Sequence, residues 1–381
     1  MQLQLFNYTA EAGWSVEAFP QLDSPNTLIL VFGATAWLDN PAPIQQLAKA
    51  YPQSIFLGCS TSGEIFGTTI LDESLAVAAI RFTTTTIQGA CVPILSSNGS
   101  FDAGQAIANQ LLQPNLRGLI VLSDGTSTNV NGSNLVRGLN SILPDSIAVT
   151  GGLAGDGARF TRTWVLKDKM PHSGYVAAVG FYGENIHFGH GSKAGWRIFG
   201  PERRITRSQE NVLYELDGQP ALELYKRYLG EWAADLPATA LLFPLSIRES
   251  HDSDKQIVRT ILSVDEETQS MTFAGDVPEG YFAQLMRASF NGLVDGAAEA
   301  AAVARAYTPD IDDTLSIAIS CVGRRLVMGE YTEDELDAAL EVLPKGTQQI
   351  GFYSYGEISP FATGYCDLHN QTMTVTTITE D

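Results

Sequence analysis

The sequence predicts a mixed α/β (α+β) fold in two domains, with mixed β-sheets covered by helices and built from pseudo-repeated β-α-β-β units. Short apolar runs rich in β-branched residues alternate with segments of helical periodicity. At 381 residues the chain exceeds one ordinary domain. A glycine followed by a carboxylate stands after a buried-looking strand three times, at Gly63-Glu64, Gly155-Asp156 and Gly356-Glu357. Three copies predict a repeated pocket framework, although any one copy has the alternative of a structural turn with a solvated acid.

The first repeat shows the predicted unit. Thr27–Gly33 is too short and too rich in β-branched residues for a core helix, and it predicts a buried strand. Residues 41–51 carry apolar side chains at helical spacing. Further strands are predicted up to Ser60 and over residues 75–82. The order of elements is therefore β-α-β-β.

The same order is predicted twice more. The second repeat has predicted helices over residues 101–112 and 131–143, and predicted strands over 116–122, up to Gly152, over 162–166 and over 175–182. The third has a strand over 314–321, a helix over 332–343, a strand up to Tyr355 and a last strand over 372–378. That helix begins with a predicted capping box of Thr332 and Glu335. Aligning Gly63-Glu64 on Gly155-Asp156 spaces two repeats 92 residues apart, which indicates duplication rather than a solenoid.

The pattern changes between the second and third repeats. This change lies near residues 200–218, and we predict an N-terminal domain over residues 1–215 and a C-terminal domain over 216–381. Residues 281–307 are rich in alanine and predict one long helical region.

Composition excludes several classes of function. A formal net charge of −20 argues against a nucleic-acid partner and against an anionic membrane surface. No apolar run approaches the roughly 20 residues that span a bilayer, and the first residues lack the basic region of a signal peptide. The four cysteines are widely spaced without a Cys-x-x-Cys motif, which favours reduced thiols. We therefore expect a cytoplasmic protein.

Five segments in order resemble the FIST family, whose members are signal-transduction sensor modules with an N-terminal and a C-terminal FIST domain. The segments are residues 58–65, 151–157, 320–325, 351–360 and 368–372. The resemblance implies that residues 1–215 are the FIST N-terminal domain and 216–381 the FIST C-terminal domain. It also implies a small-ligand sensor, not an enzyme, that works with histidine kinases, cyclic-dinucleotide enzymes or chemotaxis receptors.

Both FIST halves fill the chain without a segment for a kinase, phosphodiesterase or coiled-coil output. The chain therefore looks like the stand-alone branch that includes haem-binding nitric-oxide-sensing proteins of the NosP type, and residues 214–230 favour that branch. This resemblance implies haem b as a cofactor, nitric oxide as the signal, and a separate histidine kinase or cyclic-dinucleotide enzyme as partner. A homodimer is a further expectation.

A haem sensor needs an axial ligand, usually a histidine. His190 is our candidate because Gly189 and Gly191 flank it and leave room for a flat macrocycle. The cations Lys193, Arg203 and Arg204 could pair with the haem propionates. The alternatives are a core or surface histidine and ordinarily solvated cations.

A haem-free sensor of amino acids or similar small metabolites is the alternative function. Its candidate ligand-binding residues are Cys59, Glu64, Asp156, Arg324, Arg325, Tyr355 and Glu357, whose charges could read both ends of such a ligand. Pairing of arginine with carboxylate inside the fold explains the same residues without a ligand. A second alternative is an interaction module that binds no ligand.

Catalysis is disfavoured by the motifs. Residues 58–63 imitate a nucleophile elbow, but they lack the Gly-x-Ser-x-Gly pattern and no base is identifiable. The glycines of residues 151–157 do not form a dinucleotide fingerprint, and there is no phosphate-loop lysine pattern.

Overall fold

The computed structural model describes residues 1–95, 99–126, 130–253, 255–309, 311, 313–360 and 365–381. Four β-sheets and seven α-helices are formed by this described part of the chain. Parallel and antiparallel strand pairs occur together, with helices packed on the sheets. The predicted class, mixed β-sheets covered by helices and built from repeated units, is confirmed.

The first unit contains one helix and seven strands. They are β1 (Gln2–Thr9), β2 (Gly13–Trp14), β3 (Thr27–Gly33), α1 (Ala42–Ala50), β4 (Ile55–Ser60), β5 (Glu64–Phe66), β6 (Thr69–Leu71) and β7 (Ser74–Arg81). Every residue of β3 is buried, because β3 lies between the parallel strand β4 and the antiparallel strand β7 with both faces covered.

The second unit repeats this arrangement. It consists of β8 (Thr86–Pro93), α2 (Gly99–Leu111), β9 (Leu116–Ser123), α3 (Gly132–Asn140), β10 (Ala148–Leu153), β11 (Val165–Lys167), β12 (Met170–His172) and β13 (Tyr175–Tyr182). The side chain of Asn131 caps α3 by accepting a hydrogen bond from the backbone N–H of Asn134.

A separate domain, residues 197–287, is inserted after the first strand of the third unit, β14 (Ile186–Lys193). This inserted domain contains β15 (Arg197–Gln209), β16 (Val212–Leu216), β17 (Gln219–Pro220), α4 (Ala221–Leu229), β18 (Leu245–Arg248), β19 (Ile257–Arg259), β20 (Ile261–Asp265), β21 (Ser270–Phe273) and β22 (Phe282–Arg287). Its strands form one sheet with its own hydrophobic core, to which α4 contributes Leu222 and Tyr225.

The third unit then continues to the end of the chain. Its elements are α5 (Phe290–Arg305), β23 (Leu315–Cys321), α6 (Val322–Met328), α7 (Glu333–Val342), β24 (Gln348–Ser354), β25 (Gly356–Pro360), β26 (Cys366–His369) and β27 (Met373–Glu380). The prediction of one long helix over residues 281–307 is wrong at its start. Phe282–Arg287 pairs with β15 and β18 as a strand, and the helix begins only after the side chain of Ser289 caps it.

Each unit passes one hairpin to the sheet of another unit. The hairpin β5–β6 of the first unit extends the third-unit sheet beside β24, β11–β12 of the second extends the first-unit sheet beside β4, and β25–β26 of the third extends the second-unit sheet beside β10. The three sheets therefore have the same strand order, and the exchange is cyclic. The core of the protein is a pseudo-threefold assembly of interlaced units.

Three equivalent backbone hydrogen bonds close this assembly near its centre. Ser62 N–H donates to Tyr353 O at 2.8 Å, Gly155 N–H to Ser60 O at 3.0 Å, and Tyr355 N–H to Leu153 O at 3.1 Å. Each bond joins a different pair of units, so the three segments that follow β4, β10 and β24 meet around one axis. Phe32 and Phe352 meet in the core between the sheets, with ring centroids 4.8 Å apart.

The predicted domain division crosses these elements. The step from residue 215 to 216 lies inside Val212–Leu216, and β14 of the predicted N-terminal domain pairs with β27 of the C-terminal one. Because strands are exchanged across it, the division does not separate two independent cores. The division of the chain between residues 215 and 216 therefore stays a prediction.

Candidate functional site

The parallel strand pairs of the three units end on a common face, and three cavities open there. One begins at residues 34–36 after β3, the second at Gly125 after β9, and the third at residues 321–323 at the end of β23. Carboxyl ends of parallel strands are the usual place for ligand sites in α/β folds. This face is therefore the candidate functional site.

The first cavity, of about 780 Å³, lies between the first and second units, and we call it the polar cavity because most of the residues that line it are polar or charged. Asp39, Glu64, Asp72, Asp156 and Arg162 are among its lining residues. Arg162 Nη1 donates to Asp39 Oδ1 at 3.0 Å, so part of this charge is neutralised within the wall.

The other two cavities form a continuous cleft between the units and the inserted domain. We call it the interdomain cleft. Its larger part is about 540 Å³ and its smaller part about 270 Å³. Phe160, Leu262, Ala274 and Tyr355 line both parts, so these residues stand where the two meet.

Tyr355 joins the second and third units at this cleft. Its ring stacks on that of Phe160, with centroids 4.4 Å apart and planes inclined by 15°. Its hydroxyl donates to the Asp156 carboxylate and accepts from the backbone N–H of Phe160 at 3.1 Å. Phe160 has a positive φ of 53°, a rare conformation for a non-glycine residue, and it is 50% exposed.

Asp156 organises the loop that carries Phe160. Its carboxylate accepts from the backbone N–H groups of Phe160 at 2.8 Å, Thr161 at 3.0 Å and Arg162 at 2.9 Å. Burial alone would raise the pKa of Asp156. The hydrogen bonds from Tyr355, Arg162 and Thr161 together lower it by more than burial raises it, so the pKa lies below its ordinary value. Asp156 therefore acts as a structural anchor between the polar cavity and the cleft.

Glu64 and Glu357 occupy equivalent places in the first and third units. The Glu64 carboxylate accepts from Thr61 Oγ1 and from Ser74 N–H at 3.1 Å and Oγ at 2.7 Å. The Glu357 carboxylate accepts in the same way from three hydrogen-bond donors: Ser354 Oγ at 2.6 Å, Thr372 N–H at 3.2 Å and Thr372 Oγ1 at 2.7 Å. Burial raises the pKa of each carboxyl to about 7, against the hydrogen bonds that lower it.

In the second unit a different carboxylate, that of Asp124, accepts the hydrogen bonds that Glu64 and Glu357 accept in the other two units. Glu64 pairs with Phe352 across the exchanged strand, whereas the corresponding partner of Cys59 is Val165. Asp156 is therefore not the counterpart of Glu64, because the loop before β11 is longer. Asp124 takes the bridging role: it accepts from Thr163 Oγ1 at 2.5 Å and from the N–H of Gly174. The sequence signal for it was an acid directly after a buried strand, at Ser123-Asp124-Gly125.

The two arginines differ in their surroundings. Arg324 is fully buried, and its guanidinium donates to Glu335 Oε2 from Nε at 2.9 Å and from Nη2 at 2.6 Å. The predicted capping box is therefore wrong, since Glu335 turns to Arg324 and the side chain of Thr332 makes no cap hydrogen bond. Arg325 bridges Asp72, at 2.6 and 2.8 Å, and Ser62 O at 2.6 Å.

Cys59 lies away from all three cavities. Its side chain is fully buried among the strands of the central core, and burial together with the nearby Glu64 carboxylate raises the pKa of its thiol. A neutral thiol in an apolar core is unreactive. Of the predicted ligand-binding residues, the structure places Glu64 and Asp156 at the polar cavity, Tyr355 at the cleft, and the remaining four, Cys59, Arg324, Arg325 and Glu357, outside the cavity walls.

The predicted haem-binding residues lie apart in the structure, and haem binding by this chain stays a prediction. Gly189 and Gly191 leave no room for a macrocycle, because the helix α5 packs against them: a Cβ on either would overlap the carbonyl oxygen of Ala304 or Ala300. His190 lines none of the three cavities. Its Nδ1 is buried without a partner among the described residues, and burial lowers the pKa of the ring.

The predicted basic cluster is also dispersed. Lys193 lies in the third-unit sheet, whereas Arg203 and Arg204 lie in the sheet of the inserted domain. Arg203 donates to Asp217 at 2.9 Å and to the Tyr228 hydroxyl at 2.9 Å, so it is already engaged. In the described part of the chain, no group of three or more His, Cys, Asp or Glu side chains is arranged for a metal ion.

Phe160 and Leu262 are cleft residues that the sequence analysis missed. Phe160 follows a run of small and charged residues, Gly-Asp-Gly-Ala-Arg, and a large aromatic side chain in such a loop is the signal that could have indicated it. Leu262 lies in an amphipathic strand and carries no comparable signal.

Family models match most of the chain. The FIST N domain matches residues 27–219 and the FIST C domain residues 221–360. The chain belongs to the FIST family. FIST domains are sensory, ligand-binding domains of signal transduction, so the predicted class of function is confirmed at this level. The resemblance to the nitric-oxide-sensing branch stays a prediction.

The relatives and structural neighbours add little about function. An uncharacterized protein of Methanocaldococcus jannaschii, MJ1623, is 26% identical over 243 residues, which are 56% of this chain and 45% of that protein. The chain thus matches less than half the length of this relative. A chorismatase structure has a TM-score of 0.38 at 9% identity and covers 99% of this chain, with 98% of its own covered. A cyanuric acid hydrolase from A. caulinodans has a TM-score of 0.37 at 8% identity, with 99% of each chain covered. At these scores neither indicates what the chain binds.

No helix among the described residues has the length and apolar character to cross a bilayer.

Proposed function

We propose that this FIST protein is a haem-free sensor that binds a small organic metabolite in the interdomain cleft. The observation that carries the proposal is an apolar lining that the fold leaves uncovered. Large side chains of the cleft wall are substantially exposed: Phe160 by 50%, Leu262 by 45% and Leu326 by 47%. Concave, apolar surfaces with a few polar groups are typical ligand sites.

Signalling requires two conformations with different affinities for the ligand. The cleft supports such a mechanism because its two walls belong to different bodies. Phe160 and Tyr355 come from the three-unit core, whereas Leu262 and Ala274 come from the inserted domain. A ligand that contacts both walls stabilises the closed arrangement. The proposed output is a changed surface for a separate histidine kinase or cyclic-dinucleotide enzyme in the cytoplasm, and the proposed assembly is a homodimer.

Haem-based sensing of nitric oxide is the other version of the sensor. It receives less support, since α5 packs on the glycines that flank His190 and the predicted cations do not converge on this histidine. A visible absorption spectrum of the purified protein, before and after addition of haemin, separates the two. For a haem-free sensor we expect no Soret band after addition of haemin. A Soret band that is lost in His190→Ala would instead favour the haem sensor.

Ligand binding at the cleft is tested by a thermal-shift screen of amino acids, indoles and other small metabolites. A compound that stabilises the wild type is then titrated against Phe160→Ala and against the control Leu112→Ala, which removes an exposed apolar side chain at the end of α2. We expect at least about tenfold weaker binding for Phe160→Ala, since a buried aromatic contact contributes more than 1.4 kcal/mol. Equal affinities in the two variants would remove the site from the cleft. A wild type that no compound stabilises would favour an interaction module without a ligand.

A further inference from the structure

One end of the inserted-domain sheet carries two arginines side by side. Arg197 of β15 lies directly opposite Arg287 of β22 in the antiparallel register, and both residues are exposed. Residues directly opposite each other in such a pair point to the same face of the sheet, and two like charges there are destabilising. Neither guanidinium makes an ion pair or a hydrogen bond within the described part of the chain. The fold therefore supplies no carboxylate for these two positive charges.

Other arginines of the inserted domain differ from this pair. Each of four forms an ion pair with a carboxylate at 2.6–2.9 Å: Arg203, Arg207, Arg227 and Arg248. Carboxylates are abundant in the chain, with 43 acidic residues against 23 basic ones. The two opposed arginines are thus left available to an acidic partner.

Aromatic rings lie beside the two arginines. The guanidinium carbon of Arg287 is 5.8 Å from the ring centroid of Phe199, within the range of a cation–π contact. The rings of Phe199 and Trp232 lie 5.8 and 6.2 Å from the buried ring of Phe243, and these two residues are 38% and 53% exposed. We call Arg197, Phe199, Trp232 and Arg287 the arginine–aromatic patch.

The patch suits a protein surface better than a small ligand. None of its four residues lines any of the three cavities described above. Tryptophan and arginine are the residue types that most often dominate the binding energy of protein interfaces. A net charge of −20 disfavours a nucleic acid as the partner. The patch therefore fits a protein that presents carboxylates beside an apolar side chain.

A second copy of the chain fits the patch poorly. A twofold dimer centred on the patch would place the same residues of both copies against each other, so unpaired guanidinium groups would face guanidinium groups. A head-to-tail contact between copies would extend into a filament unless the rotation closed a ring. Charge complementarity therefore favours a different, acidic protein.

One segment of the inserted domain borders both the patch and the interdomain cleft. Two short 3-10 helices, Gly230–Asp235 and Ala238–Leu242, follow α4. The backbone carbonyl of Trp232 in the first helix accepts a hydrogen bond from Thr239 Oγ1 of the second at 2.8 Å. Leu241 of the second helix lines the cleft. A ligand in the cleft thus contacts the segment that holds Trp232.

We propose that the arginine–aromatic patch docks an acidic segment of a separate signalling protein. Carboxylates of that segment pair with Arg197 and Arg287, and an apolar side chain beside them covers Phe199 and Trp232. The inference rests on the proposed function, because it assigns the surface through which the sensor reaches its output protein. The proposed homodimer uses a different surface.

The test uses a fluorescein-labelled, capped peptide of sequence Glu-Glu-Asp-Leu-Glu-Asp-Phe-Glu-Glu. A matched peptide carries glutamine and asparagine in place of the acids. Binding to the full chain is measured by fluorescence anisotropy at about 0.15 M ionic strength, where charges more than about 8 Å apart are largely screened. We expect the acidic peptide to bind and the neutral peptide to bind at least about tenfold more weakly.

Substitutions in the patch locate the peptide. Arg197→Gln and Arg287→Gln should each weaken binding of the acidic peptide about fivefold, and Trp232→Ala at least about tenfold. Arg204→Gln is the matched control, because it makes the same change in net charge at an exposed residue of the same strand. Arg204 points to the other face of the sheet, since it lies opposite Phe282, and its substitution should leave the affinity unchanged.

A spectroscopic signal locates the peptide without a substitution in the patch. Among the five tryptophans, all of which the structure describes, Trp232 is the most exposed. In protein that contains fluorotryptophan, the fluorine NMR signal of Trp232 should shift as the acidic peptide is added. The signal of the fully buried Trp164 should not shift.

The outcomes separate this inference from the proposed function. Absence of acidic-peptide binding overturns the inference, and so does binding that Arg204→Gln weakens as much as Arg287→Gln, because net charge alone then explains it. A wild-type dimer that Trp232→Ala dissociates in sedimentation velocity also overturns it, since a second copy then occupies the patch. In each case a metabolite whose binding requires Phe160 would still uphold the cleft as the sensory site. Patch-dependent peptide binding by a chain that binds no metabolite would uphold the docking surface and overturn the sensory cleft.

Discussion

Replacement of Arg324 by methionine should destabilise the protein strongly without acting through a ligand. In the folded chain this guanidinium is fully buried and pairs with Glu335, which is also fully buried. Removing one partner of a buried ion pair costs about 3–5 kcal/mol, because the other charge is left unpaired. Arg324 also donates to Ala194 O at 2.7 Å and Leu293 O at 2.8 Å, and each deprived carbonyl adds about 1 kcal/mol. We expect a total loss of roughly 5–7 kcal/mol.

A double variant tests the physical reason. Arg324→Met combined with Glu335→Leu removes both charges, so about 3 kcal/mol or more of the loss should be recovered. The free energy of unfolding is measured by urea titration with tryptophan fluorescence as the signal. A loss below about 1 kcal/mol for Arg324→Met would refute the buried pair. A large fall in ligand affinity with unchanged stability would instead favour the ligand-reading role that the sequence left open.

The remaining predictions concern other buried groups. The folded chain holds the Glu357 proton between pH 4.5 and about 7, where the unfolded chain has released it. Its contribution to the free energy of unfolding therefore falls by roughly 3 kcal/mol as pH rises through that window. Urea titrations at several pH values should show that the free energy of unfolding depends less steeply on pH in Glu357→Gln than in the wild type. Gly191→Ala should cost about 1–3 kcal/mol in the same urea assay by overlap with α5, whereas Gly200→Ala, whose added Cβ would lie 3.6 Å from the nearest atom, should not. Iodoacetamide should leave Cys59 unmodified in the native chain and label it after unfolding, as followed by mass spectrometry.

The repeated units could be predicted from sequence because their central strands have a local signature. Thr27–Gly33 and Leu315–Cys321 are buried on both faces and so appear as short apolar runs next to helical periodicity. The exchange of hairpins could not be predicted in this way. Glu64–Phe66 has three residues, and nothing in so short a strand specifies that its partner is β24 rather than a strand of its own unit.

The site could be predicted only in part, for reasons that particular residues make clear. Asp156 follows a glycine as Glu64 does, but a longer loop changes its role to that of an anchor, and a loop length carries no periodic signal. His190 has glycine neighbours because a helix packs on them, and sequence alone does not separate space for a ligand from space for a helix. Tyr355 ends a predicted strand and lines the cleft, and its ligand-binding role stays a prediction, whereas its partner Phe160 belongs to another unit.

The hairpin exchange has a consequence for the synthesis of the chain. When the second unit leaves the ribosome, it can complete the first-unit sheet, since β11 and β12 are then available. Its own sheet has to wait for β25, and β5 has to wait for β24, both from the last part of the chain. Until then the edge of β10 stays unpaired and can template contacts with other chains. A chain interrupted in its last third would therefore be prone to aggregation even though two of its three units had been made.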